Sequence, residues 1–258
     1  MIIPFYKYQG TGNDFIIIDD RDAKVKLSED KITQITSRKF GVGSDGIILI
    51  RNHDEFDFEM IFYNPDGSQS FCGNGSRCAI LFAYHMGIVG REIEFISTDG
   101  PHKAKIVSDS IIELKMSDSL QVINLENGAF FIDTGSPHYV DYLKDVDGID
   151  LIKSAREIRN SSDYIKEGVN VNFIQQMNQN IKMRTYERGV ENETLSCGTG
   201  VTAAALVHAS KLSIEKGEIE VFTSGGTLNV GFSFDGESFQ DVWLKGGANY
   251  VFKGELDG

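Results

Sequence analysis

The sequence predicts an α+β protein built from two homologous, pseudo-symmetric lobes, each a curved mixed β-sheet around a buried central helix. The first observation is that the tetrapeptide Cys-Gly-x-Gly occurs twice, at residues 72–75 and 197–200, which lie 125 positions apart. The second is that short β-branched or aromatic runs precede each copy, whereas a stretch rich in Ala and Leu follows it. Because duplicated halves commonly face each other across a pseudo-twofold axis, we expect the active site in the cleft between the lobes.

Four further segment pairs share nearly the same spacing, so the repeated tetrapeptide is not an isolated match. They pair residues 11–13 with 134–136, 41–47 with 168–174, 63–64 with 186–187, and 93–100 with 219–226, at offsets of 123, 127, 123 and 126. One short match containing glycine would be weak, but five in the same order indicate an internal duplication of about 125 residues. The boundary is predicted near residues 117–128, where polar residues interrupt the strands.

The predicted elements follow one plan in both halves. Strand-like runs occupy residues 15–19, 47–50, 56–63 and 111–116 in the first half, and 130–133, 171–174, 181–186 and 227–230 in the second. Residues 76–85 and 201–209 are apolar on nearly every side, which predicts buried central helices. A more amphipathic helix is predicted over residues 28–38, with Ser28 as its N-cap.

Composition argues against several classes of partner. The chain has 258 residues, of which 38 are acidic and 25 basic, and its formal net charge is −13. This balance argues against nucleic acid and anionic membranes, which both need clustered Lys and Arg. The first residues lack the pattern of a signal peptide, and no apolar run approaches the roughly 18 residues that span a bilayer. Because three cysteines cannot all pair, we expect a reducing, cytoplasmic compartment.

The two Cys-Gly-x-Gly turns predict an anion site beside a reactive thiol. Glycines let a ligand approach the backbone and leave the first helical N–H groups available to a carboxylate. The positive end of the helix dipole also favours thiolate over thiol at Cys72 and Cys197. Two opposed acid/base groups suit inversion at a carbon that bears an acidic hydrogen, because one removes a proton and the other delivers one to the opposite face. Such a reaction needs no pyridoxal or other cofactor, and without a Cys-x₂-Cys spacing no metal site is expected.

Several longer motifs occur in a fixed order along nearly the whole chain. They are Gly10-Thr-Gly-Asn-Asp-Phe15, Tyr63-Asn-Pro-Asp-Gly67, Cys72-Gly-Asn-Gly-Ser-Arg-Cys78, Pro137-His138, Val169-Asn170, and Tyr186-Glu-Arg-Gly189 with Cys197-Gly-Thr-Gly200. In these motifs the chain resembles the diaminopimelate epimerase family. The resemblance implies a cofactor-independent two-base epimerase that interconverts LL- and meso-diaminopimelate in lysine and peptidoglycan precursor synthesis. It also implies a last strand that returns to the first lobe, so we predict lobes of residues 1–117 with about 247–258, and of residues 118–246; a homodimer is compatible with it.

Cys72 and Cys197 are the predicted catalytic acid/base pair. The backbone N–H groups that would bind the reacting α-carboxylate are those of Gly73, Asn74, Gly198 and Thr199. The third cysteine, Cys78, has no partner in the repeat and is expected to pack within the helix.

Side chains matching family positions are expected to bind the substrate's other polar groups. The resemblance places Asn13, Asn64 and Asn170 at hydrogen bonds to the substrate. Arg188 would hold a distal carboxylate with its planar fork. Glu187 would receive an ammonium group and influence the neighbouring thiol.

Three further positions carry expectations from the same resemblance. His138 would tune the pKa values of the cysteines. Ser136 stands where many members carry a substrate-binding asparagine, and Gly46 stands where some carry a glutamine. Because a serine reaches less far than an asparagine, the distal contacts are expected to be bridged by water or supplied elsewhere.

Three alternatives to this function are retained. The nearest is a racemase or epimerase of another amino acid, of the proline or histidine type, with the same two-cysteine machinery. Another is a noncatalytic small-molecule binder, against which both cysteines argue because binding alone needs neither. The last is a cysteine hydrolase, with Cys72 or Cys197 as nucleophile and His138 as base, which leaves the repeat unexplained.

Overall fold

The computed structural model describes residues 2–257, and Met1 and Gly258, the outer bounds of the predicted first lobe, lie outside the described residues. The described chain forms two compact units. The first contains the residues up to Leu114 together with those from Gly246 onwards, and the second contains Lys115–Lys245. Among the described residues, no helix combines the length and the apolar character that crossing a bilayer would require.

The described residues form four helices and seventeen strands. The helices are α1 (Glu29–Thr36), α2 (Gly73–His85), α3 (Leu151–Arg159) and α4 (Gly198–Lys211). The strands are β1 (Ile2–Gly10), β2 (Asn13–Asp19), β3 (Gly46–Arg51), β4 (Phe58–Tyr63), β5 (Glu92–Ser97), β6 (Gly100–Ser108), β7 (Ile111–Lys115), β8 (Ile123–Asn124), β9 (Phe130–Asp133), β10 (Pro137–Tyr142), β11 (Asn170–Met177), β12 (Asn180–Glu187), β13 (Asn192–Thr194), β14 (Lys216–Thr223), β15 (Gly226–Phe234), β16 (Phe239–Gly247) and β17 (Asn249–Asp257).

The first unit is a mixed sheet. Its strands pair in the order β17, β1, β2, β3, β4, β5, β6, β7, with parallel steps from β2 to β3 and from β4 to β5 and antiparallel steps elsewhere. The outermost pair joins the two ends of the chain, with Pro4 opposite Glu255. The last strand of the described chain therefore pairs with the first.

The second unit repeats this pattern of strand directions. Its strands β9, β10, β11, β12, β14 and β15 follow one another by antiparallel, parallel, antiparallel, parallel and antiparallel steps. The same succession runs from β1 to β6 in the first unit. The predicted α+β fold of two homologous halves is confirmed.

One pair in the predicted repeat alignment is wrong. Ile47 lies opposite Tyr63 in the first unit, and Val171 lies opposite Tyr186 in the second. Because Tyr63 corresponds to Tyr186, Ile47 corresponds to Val171 at an offset of 124, and not to Ile174 at 127. Short matches containing glycine can slide along a sequence, whereas a strand cannot slip by one residue without turning its side chains to the other face.

The two central helices are buried as predicted. Residues 74–83 of α2 are all buried, and so are residues 200–209 of α4. Helix α4 packs against β9, β10, β11, β12, β14 and β15, so the sheet curves around it. The predicted helix with Ser28 as N-cap is also confirmed, because the Ser28 hydroxyl accepts the Lys31 N–H at 3.2 Å ahead of α1.

A further helix in the second unit, α3, was not predicted. Asp150 caps it by accepting the Lys153 N–H at 3.2 Å, and its Leu151 and Ala155 are buried against Val171 and neighbouring apolar side chains. It occupies the place of α1 in the first unit, on the sheet face opposite the central helix. The inner strands are thus covered on both faces, which explains the continuous apolar runs at residues 15–18 of β2 and 47–50 of β3.

Candidate active site

Each predicted catalytic cysteine is the N-cap of a central helix. Cys72 precedes α2 and Cys197 precedes α4, both with extended backbone. The Cys72 Sγ accepts the Gly75 N–H at 3.4 Å, and the Cys197 Sγ lies 3.4 Å from the Thr199 Oγ1. Both sulfur atoms therefore lie at the positive end of a helix dipole, where a negative charge is stabilised.

The residues predicted to bind the α-carboxylate form the first turns of these helices. Gly73 and Asn74 open α2, and Gly198 and Thr199 open α4. In a helix, the first N–H groups have no carbonyl partner from a preceding turn, so they are the usual donors to a bound anion. The two helix ends have the chemistry of two carboxylate sites.

In the first unit, a chain of hydrogen bonds links the α2 end to Asn13. The Arg77 Nη2 donates to the Asn74 Oδ1 at 2.8 Å, the Asn74 Nδ2 donates to the Asn13 Oδ1, and the Asn13 Nδ2 donates to the Asp45 Oδ2 at 3.0 Å. Thr11 joins the chain by accepting from Arg77 at 2.9 Å. Because guanidinium only donates and carboxylate only accepts, the two ends of the chain determine which way both amides face.

Arg77 itself is a fully buried cation. It is 0% exposed, and within residues 2–257 the structure pairs it with no carboxylate. Burial lowers the pKa of Arg77, but an arginine remains charged at neutral pH. A negative charge on Cys72 would stabilise this cation. Both the helix dipole and the charge of Arg77 therefore favour an anion at the α2 end.

Four charged side chains surround Asn13. Asp14 lies 2.6 Å from the Lys7 Nζ and 2.6 Å from the Arg38 Nη2, and Asp45 lies 2.7 Å from the same Arg38. Although burial opposes the shift, Arg38 and Lys7 hold the pKa of Asp14 below its ordinary value. Asp14 therefore stays ionised and holds the β2 end, which carries Asn13, in place.

Two predicted substrate-binding residues of the first unit lie in other surroundings. The Asn64 amide nitrogen donates to Ser68 Oγ and Ser70 Oγ, both at 3.1 Å, and so braces the turn that leads to Cys72. Gly46 opens β3, where an added Cβ would lie 2.2 Å from the Phe62 ring. At Gly46, only the backbone could contact a ligand.

In the second unit, Asn170, Ser136 and Arg188 form one cluster. The Asn170 Nδ2 donates to Ser136 Oγ at 2.8 Å and to the Pro137 carbonyl at 3.0 Å, while its Oδ1 accepts the Arg188 N–H at 2.9 Å. The exposed Arg188 side chain donates to the Glu167 carbonyl at 3.0 Å. Asn170 is 2% exposed, so it holds Ser136 and Arg188 together.

Burial shifts the pKa values of both His138 and Glu187 from their ordinary values. His138 is fully buried beside the first turn of α4, since its Cε1 lies 3.3 Å from the point a Gly200 Cβ would occupy. Burial, with the charge of Arg188, lowers the pKa of His138 to about 3. Burial likewise raises the pKa of Glu187, at the end of β12. His138 is therefore neutral at physiological pH.

Three buried polar residues near these sites were not predicted: Arg77, Asn172, which is hydrogen-bonded to His138, and Thr185, which is hydrogen-bonded to Asn172. Arg77 was visible as the one basic residue inside an apolar helical stretch, and Asn172 as a polar residue within an apolar strand run. Arg77 is hydrogen-bonded to Thr11, which lies 66 positions away along the chain, and Asn172 to His138, which lies 34 positions away.

The prediction that Cys78 packs in the helix is confirmed, because it is 0% exposed and burial raises the pKa of its thiol. Among the described residues, no three His, Cys, Asp or Glu side chains cluster as a metal site.

The family and its relatives match this chain over nearly its full length. The diaminopimelate epimerase family model matches residues 5–119 and 130–251. A diaminopimelate epimerase from Flavobacterium psychrophilum is 41% identical over 251 residues, covering 96% of this chain and 98% of that protein. One from Aquifex aeolicus is 42% identical over 273 residues, covering 98% and 97%.

A solved structure shares the fold. A phenazine biosynthesis protein of the PhzF family from Bacillus anthracis superposes with a TM-score of 0.74 at 15% identity, over 100% of both chains. At that identity the likeness shows the fold alone. The sequence matches define the class of this protein, an isomerase of the epimerase type. The chain belongs to the diaminopimelate epimerase family.

Proposed function

We propose that this chain interconverts LL- and meso-2,6-diaminopimelate without a cofactor, using Cys72 and Cys197 as a two-base pair, in lysine and peptidoglycan precursor synthesis. The observation that carries the proposal is that each unit presents one cysteine as the N-cap of its buried helix. A hydrolase or a binding protein would need one such cysteine or none. Membership of the family supports the substrate.

The proposed chemistry is proton transfer at the α-carbon. One cysteine, as thiolate, removes the α-proton, and the other, as thiol, donates a proton to the opposite face; the roles exchange in the reverse reaction. The helix ends at Gly73–Asn74 and Gly198–Thr199 would stabilise the negative charge that develops on the carboxylate. Each predicted lobe would thus supply one acid/base group and one helix end.

The distal end of the substrate carries a second amino-acid group. Arg188 offers a planar guanidinium to its carboxylate, next to the hydroxyl of Ser136. We assign Asn13, Asn64 and Asn170 to the remaining polar contacts, by direct hydrogen bonds or through water. Glu187 would receive an ammonium, and Gly46 would contribute only its backbone.

We further propose a cytoplasmic homodimer. Strand β17 exposes Tyr250, Val251 and Phe252 by 46%, 51% and 43%, and a row of exposed apolar side chains suits association with a second copy. Light scattering at micromolar concentration should give twice the monomer mass, and a monomer at every concentration would contradict this part of the proposal.

The test is deuterium incorporation. The purified protein is incubated with LL-diaminopimelate in D₂O, and the position of deuterium and the configuration of each product are followed by NMR. We expect deuterium at the α-carbon chiefly in the inverted product, because separate groups remove and deliver the proton. Cys78→Ala, which changes the unused cysteine, is the matched control and should exchange like the wild type.

The same experiment separates the alternative substrates. If diaminopimelate does not exchange while proline or histidine racemises, the substrate is wrong and the two-base class remains. If deuterium enters substrate and product equally from the start, a single base serves both faces and the two-base mechanism is wrong.

A further inference from the structure

Three buried polar side chains form a second hydrogen-bonded chain, beside the first turn of α4. The Thr185 Oγ1 lies 3.0 Å from the Asn172 Oδ1, and the Asn172 Nδ2 lies 3.1 Å from the His138 Nδ1. The same Nδ2 lies 3.1 Å from the Tyr139 carbonyl oxygen. Thr185 is 2% exposed, and Asn172 and His138 are 0% exposed, so water does not compete for these bonds.

The orientation of the Asn172 amide follows from its neighbours. The Tyr139 carbonyl can only accept, so the amide atom facing it must be the nitrogen, and the oxygen then faces the Thr185 hydroxyl. The second N–H of the nitrogen meets the His138 Nδ1. A ring nitrogen that accepts a hydrogen bond carries a lone pair, so the ring proton of His138 is on Nε2.

The first unit shows that this fold does not require the polar chain. A Cβ on Gly75 would meet Phe15 and Ile48, where a Cβ on Gly200 would meet His138 and Asn172.

Thr185, the third residue of the hydrogen-bonded chain, also has an apolar counterpart in the first unit, Phe62. Ile48 lies opposite Phe62, as Asn172 lies opposite Thr185, and the Phe15 and Phe62 rings are 5.9 Å apart. An apolar cluster thus fills the same place in the first unit. Since buried polar groups cost free energy that hydrogen bonds only offset, the polar chain serves the α4 end and not the fold.

We propose that Asn172 is a positioning residue that holds His138 as a neutral imidazole with its proton on Nε2. His138 then acts at the Cys197 helix end as a hydrogen-bond donor and not as a base. Its buried Nε2 has no acceptor among the described residues, and the Cys197 Cβ lies 3.4 Å from the point that a Gly200 Cβ would occupy. An acceptor in the form of negative charge, on Cys197 or on a bound carboxylate, completes the bond; this last step rests on the proposed function.

The surroundings of His138 favour the neutral ring. The ionisable groups placed near it include Arg188, at the end of β12, and Cys197, at the start of α4. Burial and the positive charge of Arg188 both oppose a second proton on the ring and lower the pKa of His138. Because Nε2 carries the ring proton and the Nδ1 lone pair accepts the Asn172 N–H, His138 has no free lone pair with which to take a proton from a nucleophile, which argues against the cysteine hydrolase.

The test reads the tautomer directly. Long-range ¹⁵N–¹H correlation spectra of the uniformly labelled wild type, with His138 assigned by comparison with His138→Phe, report which ring nitrogen carries the proton. We expect a protonated Nε2 and an unprotonated Nδ1, unchanged between about pH 5 and pH 8. A proton on Nδ1, or a ring that titrates in that range, would overturn the proposal. The wild-type spectrum therefore tests it before Asn172 is substituted.

The role of Asn172 is tested by Asn172→Asp, with Thr185→Val as the matched control. An acceptor-only carboxylate should move a proton onto Nδ1 and bring the titration of His138 into the range between about pH 5 and pH 8. Thr185→Val should preserve the wild-type tautomer, because the Tyr139 carbonyl still orients the amide. If Asn172→Asp leaves the spectrum unchanged, Asn172 does not set the tautomer; and if the tautomer is as expected while diaminopimelate does not exchange, only the proposed function fails.

Discussion

The ends of α2 and α4 share one backbone plan and differ in the side chains around it. In both, a threonine from the preceding hairpin holds the second helical residue: Thr11 lies 3.5 Å from Asn74 Oδ1, and Thr134 donates to the Thr199 carbonyl at 3.0 Å. Five positions after the cysteine, however, α2 carries a buried Arg77, whereas α4 carries Thr202.

The side chains that the sheet places against the two helix ends also differ, since they are apolar at α2 and polar at α4. Phe15 and Ile48 lie against the first turn of α2, and the neutral His138 with Asn172 lies against that of α4. A fixed positive charge therefore accompanies Cys72, whereas an uncharged donor accompanies Cys197. Duplication supplied two similar helix ends, and substitutions on opposite sides of each made their electrostatic environments unequal.

The largest expected effect, a loss of epimerisation, is the same at both helix ends. Cys72→Ala and Cys197→Ala should each lower epimerisation at least about 10³-fold, because each removes one acid/base group that no neighbour replaces. Turnover of diaminopimelate by each variant, with Cys78→Ala alongside, measures this. If one variant keeps wild-type turnover, the two ends do not contribute equally and the two-base pair is wrong.

Replacing Arg77 of α2 should lower kcat/KM, whereas replacing Thr202, its counterpart in α4, should not. Arg77→Met removes the buried positive charge that would stabilise an anion at the α2 end, so kcat/KM should fall roughly 10- to 100-fold, the equivalent of about one to two pKa units of lost anion stabilisation. Thr202→Val, at the corresponding position of α4, should change kcat/KM by less than about threefold. Arg77→Lys keeps the charge without the fork, so a partial recovery would assign part of the effect to charge; circular dichroism of each variant shows whether it is folded.

The two ends should also respond differently to acid. His138 has an ordinary pKa of 6.5 that folding lowers to about 3, so the unfolded state binds its proton first. Stability should therefore fall as pH drops below about 6.5, by up to about 1.4 kcal/mol per pH unit from this group. His138→Phe, which copies Phe15 of the first unit, should flatten the slope in urea titrations between about pH 6.5 and 4.5. Equal slopes would mean that His138 is protonated in the folded protein.

The smallest expected effect is a difference in stability between the alanine variants of Gly75 and Gly200. A Cβ on Gly75 would lie 3.3 Å from the terminal methyl of Ile48, which can rotate away, so Gly75→Ala should be within about 1 kcal/mol of the wild type. A Cβ on Gly200 would lie 2.7 Å from the hydrogen-bonded Asn172 Oδ1, so Gly200→Ala should cost about 1–3 kcal/mol. Urea denaturation of both variants measures the difference, and equal stabilities would show that the Asn172 amide is not held in place.

Local patterns predicted the elements whose signals are strong along the chain. The central helices and the helix capped by Ser28 were predicted because apolar periodicity and an N-cap are properties of neighbouring residues. Helix α3 was missed although its apolar residues, at positions 151, 152, 155 and 158, recur at helical spacing. The repeat itself could have indicated it, since α1 lies at the corresponding place in the first unit.

The sequence by itself determined the duplication, the fold class, the family and the positions of both cysteines at helix starts. These depend on order and spacing along the chain, which the residues state directly. Only the tertiary structure decided the register that equates Ile48 with Asn172, and with it the polar chain through His138. Whether a polar side chain is a surface cap or a buried positioning group depends on partners that strand pairing brings from 13 or 34 residues away. That is why the sequence showed Asn172 as an unusual polar residue, whereas its hydrogen-bond partners were seen only in the folded chain.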